Sequence, residues 1–219
     1  VEATLNGENA TVGDSEIEFA KVVPTPQRAS ISVPVSNRAF HDVVNLRSIV
    51  VEQIGKSVQR LLNKWMFSLT AIIAGVEGPF VNPGTVQTAA GATMKYAEIL
   101  GLKAAVDAKG VDKTAMPAYV MTAATKAVLE GTAKANGDRM ICENDRINGI
   151  PVYTTEFCAA GVVYFAYFEY ALVGQFGNIQ LVVDPYTSAK DNKTNFVLNT
   201  DYDIKSLRPE AFGVLNPHA

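Results

Sequence analysis

Residues 45–74 read NLRSIVVEQIGKSVQRLLNKWMFSLTAIIA, and this stretch decides the fold. Apolar residues recur in it at spacings of three and four, which places them on one half of a helical wheel. They are Leu46, Val50, Ile54, Val58, Leu61, Trp65, Leu69 and Ile72. Gly75 and the Gly78-Pro79 pair then end the pattern. The sequence therefore predicts one amphipathic helix over residues 45–74, a spine of roughly 45 Å at 1.5 Å per residue.

Alternation with period two precedes this helix. Ile17 and Phe19 alternate with glutamates, and residues 31–35 alternate apolar side chains with serine and proline. Residues 24–27, Pro-Thr-Pro-Gln, lie between the two runs. Period-two runs on both sides of a proline-rich segment predict a β-hairpin with its tip at residues 24–27. A two-stranded hairpin is marginally stable alone, so we expect this one to lie on another surface.

The rest of the chain mixes short helical and strand patterns. We expect a helical turn at residues 37–43, a crossover loop at 75–91, and a helix at 92–108 whose inward residues are Met94, Ala97, Leu100 and Ala104. A strand at 117–121, a helix at 123–135, a strand at 147–155, buried strands over 162–183 and a partly alternating tail at 194–215 follow. Strands and helices in this order indicate an α+β protein.

Composition excludes several classes of protein. The 219 residues are 48% hydrophobic and 19% charged, with a net charge of −3, which is ordinary for a globular domain and indicates neither disorder nor a nucleic-acid-binding protein. The apolar run 161–173 is interrupted by Glu169 and is too short to cross a membrane, so no membrane partner is expected. Cys142 and Cys158 lie in no metal or redox motif, and we interpret them as free thiols.

No pattern of catalytic residues is apparent. Of the two histidines, His41 lies in the predicted turn before the spine and His218 is the penultimate residue, and neither cysteine has a nucleophile context. We therefore assign no catalytic residue and no cofactor. Two acidic pairs, Asp201 with Asp203 and Glu143 with Asp145, could hold Mg²⁺ or Ca²⁺, because a spacing of two on a strand places both carboxylates on one face. Exposed loop or edge charges explain these pairs equally well, and no metal site is assigned.

A basic stripe follows one side of the predicted spine. Lys56, Arg60 and Lys64 recur every four residues, and residues 36–74 carry five basic and two acidic groups. One interpretation is a solvated helix face, on which Glu52 supports Lys56 at a spacing of four. The other is a shallow cationic surface that meets phosphates or an acidic partner. Three charges are too few to define a specific DNA-binding site.

The order of motifs resembles the major capsid proteins of tailed bacteriophages, the HK97-like capsid family. The matching segments are the hairpin at 14–35 with Val-Pro-Val-Ser-Asn-Arg at 33–38, the spine, Ala-Asn-Gly-Asp-Arg at 135–139, Asn-Gly-Ile-Pro-Val at 148–152, Leu-Val-Val-Asp-Pro-Tyr-Thr at 181–187 and Arg-Pro-Glu-Ala-Phe at 208–212. Each motif is weak alone. Together, and in this order over nearly the whole chain, they make the resemblance specific.

The resemblance implies a fold, a division into domains and a function. Residues 1–34 would form an N-terminal arm and the hairpin called the E-loop, 35–85 and 184–219 a peripheral domain, and 86–183 an axial α/β domain. The E-loop would supply an assembly interface on a neighbouring subunit through Ile17, Phe19, Pro24, Pro26 and Arg28. The protein would be a non-enzymatic shell subunit that binds itself in hexamers and pentamers. It would contact packaged double-stranded DNA weakly and meet scaffolding, portal or decoration proteins. It would be located in the virion, after assembly in the host cytoplasm.

Two alternatives stay open from the sequence. The first is a cellular nanocompartment shell of the encapsulin type, which has the same fold. The second is a small metal- or ligand-binding domain that uses the acidic pairs.

Some members of the resembled family join their subunits covalently by a lysine–asparagine bond. This chain has no lysine before Lys21 to make such a bond. We therefore expect a shell without covalent links between subunits.

Overall fold

The computed structural model describes residues 21–43, 45–82, 84–91, 94–111, 116–134, 137 and 139–216. The helices are α1 (Asn37–Asp42), α2 (Leu46–Phe67), α3 (Tyr96–Asp107) and α4 (Ala123–Gly131). The strands are β1 (Gln27–Ser36), β2 (Val86–Ala89), β3 (Pro117–Met121), β4 (Arg146–Ile147), β5 (Ile150–Thr154), β6 (Val163–Tyr167), β7 (Ala171–Asp184), β8 (Lys193–Ser206) and β9 (Phe212–Asn216). Their mixture confirms the predicted α+β class.

An antiparallel three-stranded sheet has the order β1-β8-β7 and carries α2 on one face. Alternation in β1 and β8 turns apolar side chains toward the helix, as a half-buried sheet requires. Ile54 of α2 packs with Val35 and Phe196, and Trp65 packs with Ala29 and Ile204. The amphipathic pattern of the spine is therefore satisfied by this sheet.

A mixed six-stranded sheet has the order β2-β9-β6-β3-β5-β4 and contains the largest hydrophobic core. Its strand β6 is buried along its whole length, and α3 packs on one face through Ile99, Leu102 and Val106. At Gly213 of β9, an added Cβ would lie 2.8 Å from the Val106 side chain. Glycine there allows the helix to approach the sheet closely.

Aromatic rings join the end of α2 to the second face of the six-stranded sheet. Phe80 lies 6.0 Å from Phe67, 4.9 Å from Tyr164 and 5.4 Å from Phe212, measured between ring centroids. Such edge-to-face and offset contacts add to the burial of apolar area. This aromatic junction, Phe67, Phe80, Tyr164 and Phe212, connects the spine with the larger core.

The predicted hairpin tip is wrong. Residues 21–26 form no turn, and the Thr25 amide donates to Asp203 Oδ2 at 2.7 Å, so the segment continues alongside β8. Strand β1 pairs with β8 over Gln27–Ser36, while the other predicted strand, around residues 16–19, lies outside the described residues. Alternation shows that one face of a strand is buried but does not identify its partner strand. That partner is β8, whose paired residues lie 157 to 175 positions further along the chain.

The helix boundaries and one buried face also differ from expectation. Helix α2 ends at Phe67 and not at residue 74, and it turns Leu62 inward while Leu61 is exposed. Helix α3 is shorter than residues 92–108. Its buried residues are Ile99, Leu102 and Val106 instead of the predicted Ala97, Leu100 and Ala104, and Met94 is buried but precedes the helix. Apolar residues of α3 lie on several sides of the helix, so its sequence pattern does not identify the buried face. The buried face is determined by packing against β9.

The apolar run at 162–183 is only half buried, contrary to expectation. Strand β6 fills the core, but in β7 the side chains of Val173, Ile179, Leu181 and Val182 are exposed. Strand β7 is a sheet edge, and the pairing with β8 shifts between Phe176 and Gln180 at a bulge. The expected crossover loop at 75–91 contains β2, which pairs in parallel with β9.

Candidate assembly surface

The predicted E-loop residues lie at or beyond the beginning of β1. Pro24 and Pro26 belong to the extended segment before the strand, and Ile17 and Phe19 lie outside the described residues. Arg28, within β1, donates from its guanidinium to Asn199 Oδ1 at 2.8 Å, so this side chain is bound within its own subunit. Only three of the five residues thus lie in the described part of the chain, and the E-loop interface stays a prediction.

Asp203 anchors the segment that leads into β1. Its side chain belongs to a residue only 2% exposed, and the Thr25 amide meets its carboxylate. A buried carboxylate needs such donors, because leaving it unpaired is costly. This contact explains Asp203 without a metal ion.

Both residues of the second acidic pair also have partners. Glu143 accepts from the Met140 amide at 2.9 Å, and Asp145 contacts Lys126. Among the described residues there is no group of three or more histidine, cysteine, aspartate or glutamate side chains that could hold a metal ion. These contacts favour the structural explanation of Asp203, Glu143 and Asp145.

The basic stripe lies on the exposed side of α2 and is partly neutralised. Lys56 Nζ pairs with Glu52 Oε1 at 2.6 Å, and Arg60 pairs with Glu156 Oε1 at 2.7 Å across to the turn after β5. Lys64 has no ion-pair partner within the described part of the chain. Two of the three cations are thus already matched by carboxylates, which reduces the positive potential of this face.

Charge reversal of Lys56, Arg60 and Lys64 together should change the stability of the subunit little. All of these groups are exposed, and exposed ion pairs typically contribute about 0–1 kcal/mol each. We expect the melting temperature of the triple variant to fall by no more than about 4 °C per kcal/mol lost. A fall beyond 10 °C in thermal unfolding, roughly the loss of a core side chain, would show that the stripe is part of the folding core.

An apolar groove opens between the end of α2 and strands β3 and β5 of the six-stranded sheet. Its volume is about 560 Å³. The lining residues are Asn63, Phe67, Met116, Pro117, Ala118, Val120, Pro151, Tyr153, Thr154, Thr155 and Phe168. Met116 is 86% exposed and Tyr153 60%, so large apolar side chains stay in water at its rim. Surfaces of this kind mark interaction sites.

Groups with nucleophilic or acid–base character are few in the described structure. Burial raises the pKa of the Cys158 thiol to about 12 and also raises the pKa of the Cys142 thiol, so both stay protonated near neutral pH. Both cysteines are free, as expected. His41 lies in α1, and His218 is outside the described residues.

None of the described helices has both the length and the apolar character needed to cross a bilayer.

Comparison with known proteins identifies the family. A family model described as "Phage capsid family" matches residues 1–216. The chain belongs to the phage capsid family. It is therefore a structural protein of a capsid shell, a component of the phage head, and the two alternatives considered from the sequence gain no support. A search of curated proteins found no match to this capsid protein.

Solved structures share the fold of the capsid protein at low sequence identity. The capsid of a native GTA particle has a TM-score of 0.76 at 16% identity, covering 98% of this chain and 80% of that one. A structure from Gordonia phage Cozz has a TM-score of 0.73 at 14% identity, covering 98% and 77%. One from Mycobacterium phage Ogopogo has 0.71 at 11%, covering 98% and 83%. The HK97-like capsid fold inferred from the motif order is confirmed.

Sequence reasoning missed the groove. Its residues come from α2, β3, β5 and the turn at Phe168–Tyr170, which lie far apart in the chain. The only local signal is that Met116 and Tyr153 flank short strands, which does not distinguish them from core residues. The groove exists because the end of α2 and the turn at Phe168–Tyr170 meet the six-stranded sheet there.

Proposed function

We propose that the capsid protein builds hexameric and pentameric capsomers of an icosahedral head that encloses double-stranded DNA. The observation that carries this proposal is the hydrogen bond that holds the segment before β1 on its own subunit. The Thr25 amide is bound to Asp203, and β1 pairs with β8, so the segment before β1 is directed away from a local turn at residues 24–27. A neighbouring subunit can provide the surface that this segment needs. Closed rotational symmetry then repeats the contact around each capsomer.

Sheet membership supports a revised division into domains. We assign the three-stranded sheet with α2 to the peripheral domain and the six-stranded sheet with α3 and α4 to the axial domain. On this basis β7 (Ala171–Asp184) belongs to the peripheral domain, and β9 (Phe212–Asn216) belongs to the axial domain. The predicted boundary at residue 183 thus moves to the turn at Phe168–Tyr170.

The proposal includes weak contacts with DNA and with other head proteins. Lys64, with Lys56 and Arg60, would give the inner surface a shallow positive stripe that meets phosphates without reading sequence. Scaffolding, portal and decoration proteins are further partners, and assembly takes place in the host cytoplasm. We propose no catalytic role, because the two thiols are buried and protonated and the Asp203 and Glu143 carboxylates are engaged in structural contacts.

Truncation of residues 1–20 tests the proposed assembly. We expect the shortened subunit to keep its melting temperature within about 2–4 °C, the shift that 1 kcal/mol produces in a domain of this size. It should form no closed shells in electron micrographs and should sediment as subunits. Normal particles from the truncated chain would contradict the proposal.

Truncation of residues 1–28 is the matched comparison. It also removes the Thr25 amide and leaves the Asp203 carboxylate buried without that donor. Loss of a partner to a buried polar group costs roughly 1–3 kcal/mol, so the melting temperature should fall where the shorter truncation leaves it unchanged. Equal thermal stability of the two truncated chains would show that Asp203 does not anchor the segment.

Mature particles should dissociate to single subunits when boiled in SDS. The asparagines that could form a lysine–asparagine bond already make hydrogen bonds within their own subunit. Asn192 Oδ1 accepts from Asn37, Asn195 donates to Ser188, and Asn199 accepts from Arg28. Residues 1–20 contain no lysine. A ladder of linked subunits on the gel would contradict this prediction.

A further inference from the structure

A polar pocket lies on the face of the three-stranded sheet that points away from α2. Tyr202 of β8 packs with Trp65 of α2, so its neighbour Asp201 projects to the opposite face, because successive side chains of a strand alternate. The pocket has a volume of about 310 Å³, close to the lower end of the roughly 300–1,000 Å³ that ligand sites usually have. It therefore suits a small ligand. Residues that line it include Arg28, Phe176, Asn178, Gln180, Asn199 and Asp201.

The register of the sheet places five of these residues in two neighbouring rows. In the first row, Asp201 lies between Arg28 of β1 and Phe176 of β7. In the second row, Asn199 lies beside Gln180. Residues directly opposite one another in antiparallel strands have neighbouring side chains on the same face. The sheet thus presents a carboxylate, a guanidinium, two amides and one aromatic ring together.

A β-bulge in β7 provides a wall of the pocket. Between the two rows β8 has one residue, Thr200, whereas β7 has three, residues 177–179. Extra residues of this kind bend the bulged strand. Gly177 has a φ of 71°, which glycine adopts without steric cost, and Gly177 and Asn178 line the pocket. The bulge therefore turns a row of polar side chains into a concave site.

The pocket contains one positive and one negative side chain, and the positive one already has a partner. The Arg28 guanidinium donates from Nε and Nη2 to Asn199 Oδ1, at 3.3 and 2.8 Å. The Asp201 carboxylate makes no ion pair within the described part of the chain, so it can accept hydrogen bonds from a ligand. Its negative charge disfavours a phosphate or a carboxylate as that ligand, because like charges brought together are costly.

A neutral sugar ring matches this combination of groups. Its hydroxyls both donate and accept hydrogen bonds, so Asp201 can accept from two of them while the amides of Asn178 and Gln180 bind others. Its C–H groups form an apolar face that can lie on the Phe176 ring, whose own face has a partial negative charge. A wholly apolar ligand would instead leave the carboxylate and the amides without partners, which is costly.

We propose that this pocket binds a neutral hexose unit of a polysaccharide outside the head, with Asp201 accepting from its hydroxyls and Phe176 against its ring. The inference rests on the proposed function, in which the basic stripe of α2 faces the DNA and this opposite face of the sheet lies on the outside. A single pocket of this size binds weakly. A head repeats the pocket in every subunit, and the repetition strengthens attachment to a polymer of hexoses.

Saturation-transfer NMR on the unassembled subunit tests the pocket itself. The probes are the methyl glycosides of glucose, galactose and mannose, and we expect at least one of them to receive magnetisation from the protein. Asp201→Asn keeps the shape of the side chain but loses the charge that strengthens its hydrogen bonds, so the dissociation constant should rise about tenfold. Phe176→Leu should raise it about fivefold through loss of the ring contact.

Asp191→Asn is the matched control for the removal of one carboxylate. Asp191 is exposed, lies in the turn between β7 and β8 and does not line the pocket, so the dissociation constant should stay unchanged. The melting temperature of each variant shows whether it is folded. Because Asp201→Asn and Phe176→Leu remove different groups, misfolding of one variant leaves the other as a test.

Retention of assembled particles tests the position of the pocket on the head. Particles are passed over polyacrylamide surfaces that carry glucose, galactose or mannose, with unsubstituted polyacrylamide as the background. We expect retention on the hexose that binds the subunit, release by the free methyl glycoside, and loss of retention for Asp201→Asn, because many weakened contacts multiply their effect.

The outcomes separate this inference from the proposed function. If the chain forms no particles but the subunit binds a hexoside in the Asp201-dependent way, the proposed function fails and the sugar pocket stands. If particles form and no hexoside binds either subunit or particle, the pocket is overturned. Binding that neither Asp201→Asn nor Phe176→Leu weakens would also overturn it, and binding by subunits but not by particles would overturn its place on the outside of the head.

Discussion

Replacing Phe80 with alanine is expected to lower the free energy of unfolding by about 3–5 kcal/mol, the range for removing a buried phenylalanine. Phe80 is 1% exposed and contacts three other rings of the aromatic junction between the spine and the six-stranded sheet. The cavity left by alanine lies in the middle of this junction. At roughly 2–4 °C per kcal/mol, the melting temperature should fall by about 6–20 °C.

Tyr186→Ala provides the matched control for the loss of an aromatic side chain. Tyr186 is 84% exposed, and surface substitutions of this kind usually change stability by no more than about 0.5 kcal/mol. Phe80→Leu should fall between the two variants, because it keeps most of the apolar volume. Similar melting temperatures for Phe80→Ala and Tyr186→Ala in calorimetry would show that the aromatic junction does not hold the subunit together.

Substituting Gly78 with alanine is expected to destabilise the subunit by about 3 kcal/mol, the upper end of the usual cost of over-packing. A Cβ at Gly78 would lie 2.3 Å from the Trp65 carbonyl oxygen. That oxygen belongs to the backbone near the end of α2, so no side-chain rotation can relieve the clash. The turn before Phe80 or the end of the helix must move, and either shift disturbs the aromatic junction.

Gly55→Ala is the matched comparison for a glycine in the same region of the chain. Gly55 lies inside α2, is exposed, and an added Cβ would meet nothing within 4 Å. Alanine in an open helical position is favoured over glycine by about 0.5–1 kcal/mol, so this variant should be more stable. Opposite signs for the two substitutions in denaturant unfolding would support the close approach at Gly78, whereas equal effects would contradict it.

Elements with strong local patterns could be predicted from the sequence. The spine could be predicted because its apolar residues repeat with the period of a helix, and β3 because a short continuous apolar run is typical of a buried strand. The turn at Asn148-Gly149 also follows locally, since both residues adopt positive φ (50° and 81°), as this pair of residues favours in a tight hairpin. The family followed from the order of such elements.

Partners distant in the chain were decided only by the tertiary structure. The alternation of residues 31–35 specifies a half-buried strand, yet it fits a local hairpin and the observed pairing with β8 equally well. Helix α3 has apolar residues on several sides, and its contact with β9 alone selects the buried face. In β7 the apolar residues predicted burial, but none of the described helices covers that edge, so these side chains are exposed.

The groove shows most clearly which features local sequence determines and which depend on tertiary contacts. Local sequence determines that β3 and β5 are strands and that α2 has an apolar side, because these features depend on neighbouring residues. Whether the floor at Ala118 and Val120 is covered depends on where α2 ends relative to the sheet and on which rings pack there. The cover of the floor therefore depends on contacts between segments about fifty or more residues apart in the chain. The periodicity of apolar residues within a single segment does not reveal such contacts.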